Sequence, residues 1–360
     1  MITILLFALI LLIVVIGHEL GHFFVAKWCG VRVEEFGFGL PPKVWGFRPK
    51  GSETEYTLNA LPIGGFVRLY GEDGEERESP RSFAAQAPWK KIAILVAGVI
   101  MNLIIAWIAF TTVGLLGSLR VISEDQLDQY PEAQTIITVV AEDSPAESQG
   151  LRFGDRITSI NEQEVQTPSD IREIITANEG ETISLVIQRG TISEDVDVLV
   201  RSDAPPEQGA VGIGMQLVVT ERVGLLQAMQ DGVTRIQTVI VTTMSVLSQM
   251  VYSWVVPGVE APAEADVRGP IGMVSAVGEF RQLGLSYIIT FVGLISTSLA
   301  LFNILPIPAL DGGRIVFVII EWIKGSPVEA EWEAAVHTTG FMLVIGLTIL
   351  ITIRDVINLF

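Results

Sequence analysis

ITILLFALILLIVVIGHELGHFFVAK, residues Ile2 to Lys27, decides how the rest of the chain is read. No charge occurs from Ile2 to Gly17, and HELGH (His18 to His22) then places two imidazoles and a carboxylate at the end of that run. A membrane-spanning helix takes roughly 20 apolar residues, which this stretch supplies. On such a helix His18 and His22 are four positions apart and project from one face, where they can hold one Zn²⁺. Glu19 lies about 100° round the helix, beside the metal but not bound to it, where a general base for an activated water belongs. Ionisable side chains in or near hydrocarbon are costly without a partner, so they point to function before packing. No Lys or Arg precedes Lys27 and no small-x-small site follows the run, so it is expected to remain as a span and not be cleaved as a signal peptide.

The whole chain carries the same signature. Its 360 residues are 49% hydrophobic, with a mean hydropathy of +0.50, which suits a multi-span membrane protein better than a soluble enzyme. A net charge of −18 argues against nucleic acid as the main partner. The single cysteine, Cys29, excludes an internal disulfide and a cysteine-based zinc cluster, and reads as a bystander thiol.

Four segments are expected to span the bilayer: Ile2 to Ala26, Ile92 to Leu119, Leu285 to Leu305 and Phe341 to Ile357. Every lysine lies between Lys27 and Lys91 or at Lys324. The loop from Val25 to Lys91 has a net charge of +1, and Ser118 to Gly284 a net of −15. The positive-inside rule then places the shorter loop in the cytoplasm, with the long acidic segment and both termini outside.

The first loop is more than a linker. FGFGLPPKVWGF (Phe36 to Phe47) and YTLNALPIGGFVRLYGE (Tyr56 to Glu72) are rich in aromatic and β-branched residues broken by Gly and Pro, the pattern of a hairpin. Gly37, Gly39, Gly64 and Gly65 are available for turns or close backbone approach. Its apolarity suggests contact with the membrane interior, where such backbone must be buried in protein or line a wet cavity. A small cytoplasmic hairpin is the plainer alternative. These elements make up a first region, 1–119, with the hairpin at about 31–72. The second span starts at a Trp89-Lys90-Lys91 anchor and holds Asn102, readable as interhelical hydrogen-bonding glue or as a residue near the site.

Between the second and third spans, strand-like runs at Thr135 to Val140 and Ile183 to Gln188 flank a helix-like run at Pro168 to Ala177. The string SPAESQGLRFGDRITSINEQEV (Ser144 to Val165), followed by LVIQRG, resembles a PDZ domain, expected over 133–203 in one copy. Such domains capture extended peptides or C-terminal segments by strand addition. A linker and an amphipathic helix are expected over 204–284. Leu225, Met229, Val233, Ile236, Ile240, Met244, Leu247, Val251 and Trp254 form its apolar stripe, and Asp231 and Arg235 argue against a fifth span. Gly258 to Arg268 reads as a loop, and GPIGM (Gly269 to Met273) leads into the third span.

FNILPIPALDGG (Phe302 to Gly313) closes that span, in the region 285–360 that holds the last two. Pro306 and Pro308 cannot continue a regular helix, so Asp311 falls just past a break. Asp311 alone could be a helix cap. The His pair, however, lacks a third protein ligand, and the other candidate, His337, lies in a polar stretch before the last span. Asp311 sits at the level of His18 and His22, and three protein ligands with one open position is the catalytic zinc pattern, so Asp311 is assigned as the third.

HELGH in the first span, NILPIPALDGG in a later one and a PDZ-like insert between them resemble the site-2 protease family, nearest to its bacterial RseP-type intramembrane zinc metalloproteases. The resemblance covers nearly the whole chain. It implies a polytopic α-helical membrane protein with a membrane-associated β-hairpin and an inserted α+β PDZ domain. It implies Zn²⁺ on His18, His22 and Asp311, catalysis by Glu19, and substrate handling by Asn303. Gly37, Phe38 and Gly39, with Gly64, Gly65 and Phe66, resemble the family's membrane-reentrant β element, which aligns substrate as an added strand. Asn102 is a candidate supporting residue. The implied setting is the plasma membrane, with an extracytoplasmic PDZ domain, the active site near the cytoplasmic side, and substrates that are single-span membrane proteins such as anti-sigma factors or remnant signal peptides. Two departures stand out: the best-known members have two PDZ domains, and many relatives have Pro where Val99 stands. A peptide-binding scaffold without chemistry, and a zinc transporter or sensor, are the rival readings. Retention of every zinc residue and Glu19 opposes the first, and the scarcity of polar residues along the spans opposes the second.

Overall fold

The computed structural model describes residues 2–74, 76–141, 143–190, 192–205, 208–256 and 269–357, so the loop expected from Gly258 to Arg268 lies outside the described residues. In chain order the elements begin with α1 (Ile2–Trp28), β1 (Val33–Phe47), β2 (Glu55–Leu69) and α2 (Pro88–Leu116). There follow β3 (Ser118–Val121), β4 (Gln134–Val140), α3 (Pro145–Ser148), β5 (Arg156–Ile160), β6 (Gln163–Glu164), α4 (Pro168–Ala177), β7 (Thr182–Arg189), β8 (Ile192–Leu199) and β9 (Ile213–Glu221). The chain ends with α5 (Leu225–Val255), α6 (Pro270–Leu283), α7 (Leu285–Ile304), α8 (Asp311–Lys324) and α9 (Ala330–Ile357). Among the described residues, five helices are long and apolar enough to cross a membrane: α1, α2, α5, α7 and α9.

The chain divides into two units, the first made of 1–112, 228–278 and 288–360. Its helices meet through glycine. Lipid tails are as apolar as leucine, so packing between spans depends on small residues that let backbones approach. At Gly21 of α1, the space a Cβ would occupy is filled by the Ala97 carbonyl and Gly98 of α2. At Gly293 of α7 it is filled by the Phe110 ring of α2. Thus α2 is held between α1 and α7, and Asn102, Ser296 and Thr297 are buried at that junction.

The hairpin forms as expected from its glycines, but it is not a simple two-stranded ribbon. Gly37 pairs with Phe66 on one side and with Thr57 on the other, and Phe36 and Phe38 are likewise paired on both sides. Gly65, Phe66 and Val67 pair only with β1, and Trp45, Gly46 and Phe47 only with β2, so this element has one open edge in each strand. Positive φ at Gly39 and Gly64 (77° and 84°) sharpens the bends that let the strands fold back.

Three expectations are corrected in this unit. The final helix starts at Ala330, so His337 lies inside it and not in a stretch before it. GPIGM opens a separate helix, α6, ahead of the third span. Asp231 and Arg235 do not interrupt α5, which runs unbroken for 31 residues. Its buried positions are Ala228 and Gly232, with the Trp107 indole N–H donating to the Met229 carbonyl at 3.0 Å. The stripe residues Val233, Val251 and Trp254 stay exposed. Small residues, and not the large apolar ones, make this contact.

The second unit is 113–227 with 279–287. Its sheet has the order β3-β9-β4-β5-β7-β8, with β6 paired to β5. The core is aliphatic, built on Ile137, Ile157, Ile160, Ile171, Ile183, Leu185, Ile187 and Val198. Helix α4 covers the range read from the sequence. Thr167 caps it, accepting from the Asp170 N–H while the Asp170 carboxylate accepts from the Thr167 N–H. Asp155 is fully buried and gripped by Arg189 through two bonds of 2.7 Å, which offsets its desolvation. The stretch expected as linker contains β9, which pairs with both β3 and β4. Strand β3 also overlaps the end of the region expected as the second span, which stops at Leu116.

Candidate metal centre

Two imidazoles four residues apart on α1 can only share an ion if their ring nitrogens converge, and they do. His18 Nε2 and His22 Nε2 are 3.0 Å apart, and Asp311 Oδ2 lies 3.0 Å from the first and 3.4 Å from the second. Ligands bound tetrahedrally to Zn²⁺ at about 2.0–2.2 Å sit about 3.3–3.5 Å from each other. The three atoms therefore form a triangle close to one face of such a tetrahedron. Asp311 Oδ2 is buried without a hydrogen-bond partner, and among the described residues this is the one grouping of three that could hold a metal ion. The residues fit the group that the sequence implies.

Local structure delivers each side chain of the triangle. The His22 Nδ1–H donates to the Ile94 carbonyl of α2 at 2.8 Å, leaving its Nε2 lone pair facing the triangle. Gly98, one turn further along α2, leaves room for both rings: a Cβ there would lie 2.4 Å from His22 Nε2 and 2.6 Å from His18 Cε1. Asp311 arrives through a tight break. After α7 ends, Gly312 and Gly313 pack against the carbonyls of Ile304, Leu305 and Ile307, where any Cβ would collide. Ala309 takes a left-handed φ of 77°, and its N–H donates to His337 Nδ1 at 2.9 Å. His337 thus braces the loop that carries Asp311 and is not part of the triangle.

Of the other residues singled out, Asn303 is buried on the last turn of α7 with its Nδ2 3.5 Å from His18 Nε2. Asn102 is fully buried with its Nδ2 3.2 Å from His18 Nδ1, so it stands beside the site and not merely between helices. Glu19 is next to the hairpin: a Cβ on Gly65 would lie 3.5 Å from Glu19 Cγ. Gly37 and Phe38 are one strand further in, with the Phe66 ring covering Gly37. Gly39 packs against the Leu61 carbonyl, and Gly64 has only Leu40 nearby. Glu72, just after β2, pairs with Arg314 of α8, tying the hairpin to the helix that starts at Asp311.

Reasoning from sequence missed Gly98, the Ile94 carbonyl, His337 as a brace and the Glu72–Arg314 pair. Only Gly98 left a trace in the sequence, as a small residue four before Asn102 in an apolar helix.

The chain matches Peptidase family M50 over residues 6–347. A protein of Clostridium perfringens whose name proposes it as a zinc metalloprotease is 34% identical over 345 residues, covering 95% of each chain. One of Clostridium acetobutylicum, named in the same way, is 33% identical over 356 residues, 99% of this chain and 96% of that one. A third, from Nostoc, is 33% identical over 365 residues, 97% and 94% of the two chains. Among solved structures, the PDZ domain of an SdrC-like protein from Listeria monocytogenes aligns with 23% of this chain and 86% of its own at 26% identity, with a TM-score of 0.20. A match that runs from the first helix to the last, through both halves of the His–His–Asp triangle, leads to one conclusion: the chain belongs to Peptidase family M50, the site-2 protease family of zinc metalloproteases.

Proposed function

We propose that this zinc metalloprotease cuts peptide bonds within or beside the transmembrane segments of other membrane proteins, with His18, His22 and Asp311 holding the zinc and Glu19 acting as general base. The observation that carries the reading is where the triangle sits. Its two histidines are buried on a helix of membrane length, packed against α2, with Asn303 from the end of a third such helix beside them. When bound, zinc supplies Lewis-acid chemistry, polarising a carbonyl and acidifying water. Glu19 takes the proton of the attacking water and returns it to the leaving amine nitrogen. The Asn303 amide, close to His18, is placed to hold substrate.

A transmembrane helix hides its carbonyls in its own hydrogen bonds, so substrate must unwind before it is cut. Pairing with a strand edge offsets those lost bonds. Of the two open edges, Gly65 to Val67 and Trp45 to Phe47, the first runs beside Glu19 and is the one suited to this. Gly64, Gly65 and Phe66 therefore take the direct role in positioning substrate, and Gly37, Phe38 and Gly39 support that edge from behind. The lysine-bearing loop puts the site near the cytoplasmic face of the plasma membrane, and the acidic sheet unit, read as a PDZ domain that receives peptide or C-terminal segments, outside it.

The test is a trap. Cells carrying Glu19→Gln should accumulate uncut single-span membrane proteins that co-purify with the variant, while wild-type cells yield their fragments. Identical membrane fragments in both would refute the reading.

A further inference from the structure

His18 and His22 meet α2 along one face, at Ile94, Gly98 and Asn102, each one turn from the next. For His22 the arrangement is settled: its Nδ1–H donates to a backbone carbonyl, so Nε2 is free to ligate. His18 has Asn102 in the corresponding place. A neutral imidazole that ligates through Nε2 must carry its proton on Nδ1 and needs an acceptor there. Asn102 Nδ2, at 3.2 Å, is a donor, whereas its Oδ1 is buried with no partner. The two ends of a side-chain amide have nearly the same shape, and a half-turn about Cβ–Cγ exchanges them in place. Either orientation leaves one end of the amide unpartnered, so what His18 requires decides between them.

We propose that Asn102 is a positioning residue whose side-chain oxygen accepts from His18 Nδ1–H, fixing the tautomer and ring orientation that aim Nε2 at His22 and Asp311. The residue is well held for this. Ser296 of α7 donates to its backbone carbonyl at 2.8 Å, and its side chain has no exposure. The inference rests on the zinc-ligand assignment made above. It assigns Asn102 an acceptor's role, which a residue serving only as glue between helices would not need.

The test compares three substitutions in the full-length protein in detergent, reading the zinc dissociation constant by chelator competition and the unfolding temperature of the zinc-free protein. Asn102→Leu and Asn102→Ala remove the acceptor and should weaken zinc about 10–100-fold. The smaller alanine guards against a packing failure of leucine. Asn102→Asp can only accept, and should hold zinc as tightly as the wild type or more tightly. Wild-type affinity in Asn102→Ala would overturn the proposal. So would a loss in Asn102→Asp equal to that in Asn102→Ala, since it would show the amide donating. His22→Ala, run alongside, separates the two levels: if it too keeps wild-type affinity, the ligand set itself is wrong and the proposal falls with it.

Discussion

Gly98→Ala sets two known effects against each other at one atom. In an open helix, alanine is favoured over glycine by about 0.8–1 kcal/mol. On α2 the new Cβ would stand 2.4 Å from His22 Nε2 and 2.6 Å from His18 Cε1, where ordinary contact begins at 3.4 Å. The shortfall of about 1.0 Å at His22 Nε2 must come from turning the rings or from parting α1 and α2. Parting them is resisted, because Gly21 already rests on the Ala97–Gly98 backbone. The rings have to move. Metal ligands tolerate only about 0.2 Å, and overpacking costs about 1–3 kcal/mol, more than the propensity gain. Zinc affinity should therefore fall about 10–100-fold, as when the support of a ligand is disturbed, and the zinc-free protein should unfold no higher than the wild type. Gly346→Ala is the matched control, since nothing lies within 4 Å of its added Cβ. It should keep zinc and gain slightly in stability. Chelator competition on the purified chain measures the affinity, and thermal unfolding of the zinc-free protein the stability. Wild-type zinc affinity in Gly98→Ala would refute the placement of the histidines against α2.

Other outcomes follow from the same geometry. His18→Ala, His22→Ala and Asp311→Ala should each abolish stoichiometric zinc by elemental analysis. His337→Ala should retain it, because that ring holds the Ala309 N–H and stays outside the triangle. With Cys29 replaced, a cysteine at Ser52 should be shielded from an impermeant thiol reagent in intact cells and one at Ser202 labelled; the reverse would invert the orientation. In the sheet unit, the Thr167 N–H holds the Asp170 carboxyl below the usual carboxylate range. Its contribution is present above the unfolded pKa and lost as pH falls through the lower folded value. Hydrogen exchange across α4 should thus show protection that fades in acid in the wild type but not in Asp170→Asn, and Thr167→Ala should cost about 1 kcal/mol.

Much of the site could be read from the sequence because its parts are local or sit at forced positions. HELGH supplies the two converging imidazoles within one helical turn, and the prolines before Asp311 mark a break that only a short loop can bridge. Helix α4 was legible to the residue through its Thr-Pro start and its Ile171–Ile175 spacing. What escaped is non-local. The Ile94 carbonyl acts through backbone, which any residue would supply at that position, and Gly98 resembles every other small residue in an apolar helix. The hairpin could be foreseen but not its register, since pairing Gly37 with both Thr57 and Phe66 requires the strands to bend back at Gly39 and Gly64. Strand β9 was hidden behind a proline-containing stretch that reads as linker, and its Leu217, Val218 and Val219 become a core segment only once β4 and β3 flank them.

The central claim is that Glu19 does chemistry beside a metal it does not hold, and one experiment isolates that. Glu19→Gln keeps the size of the side chain and removes the carboxylate that accepts the water proton. Single-turnover cleavage of a model single-span substrate in liposomes is measured together with zinc content on the same sample. The variant should keep one zinc per chain and cleave about 10²–10⁴-fold more slowly, as for loss of a general base. Cleavage at the wild-type rate with zinc retained would contradict it.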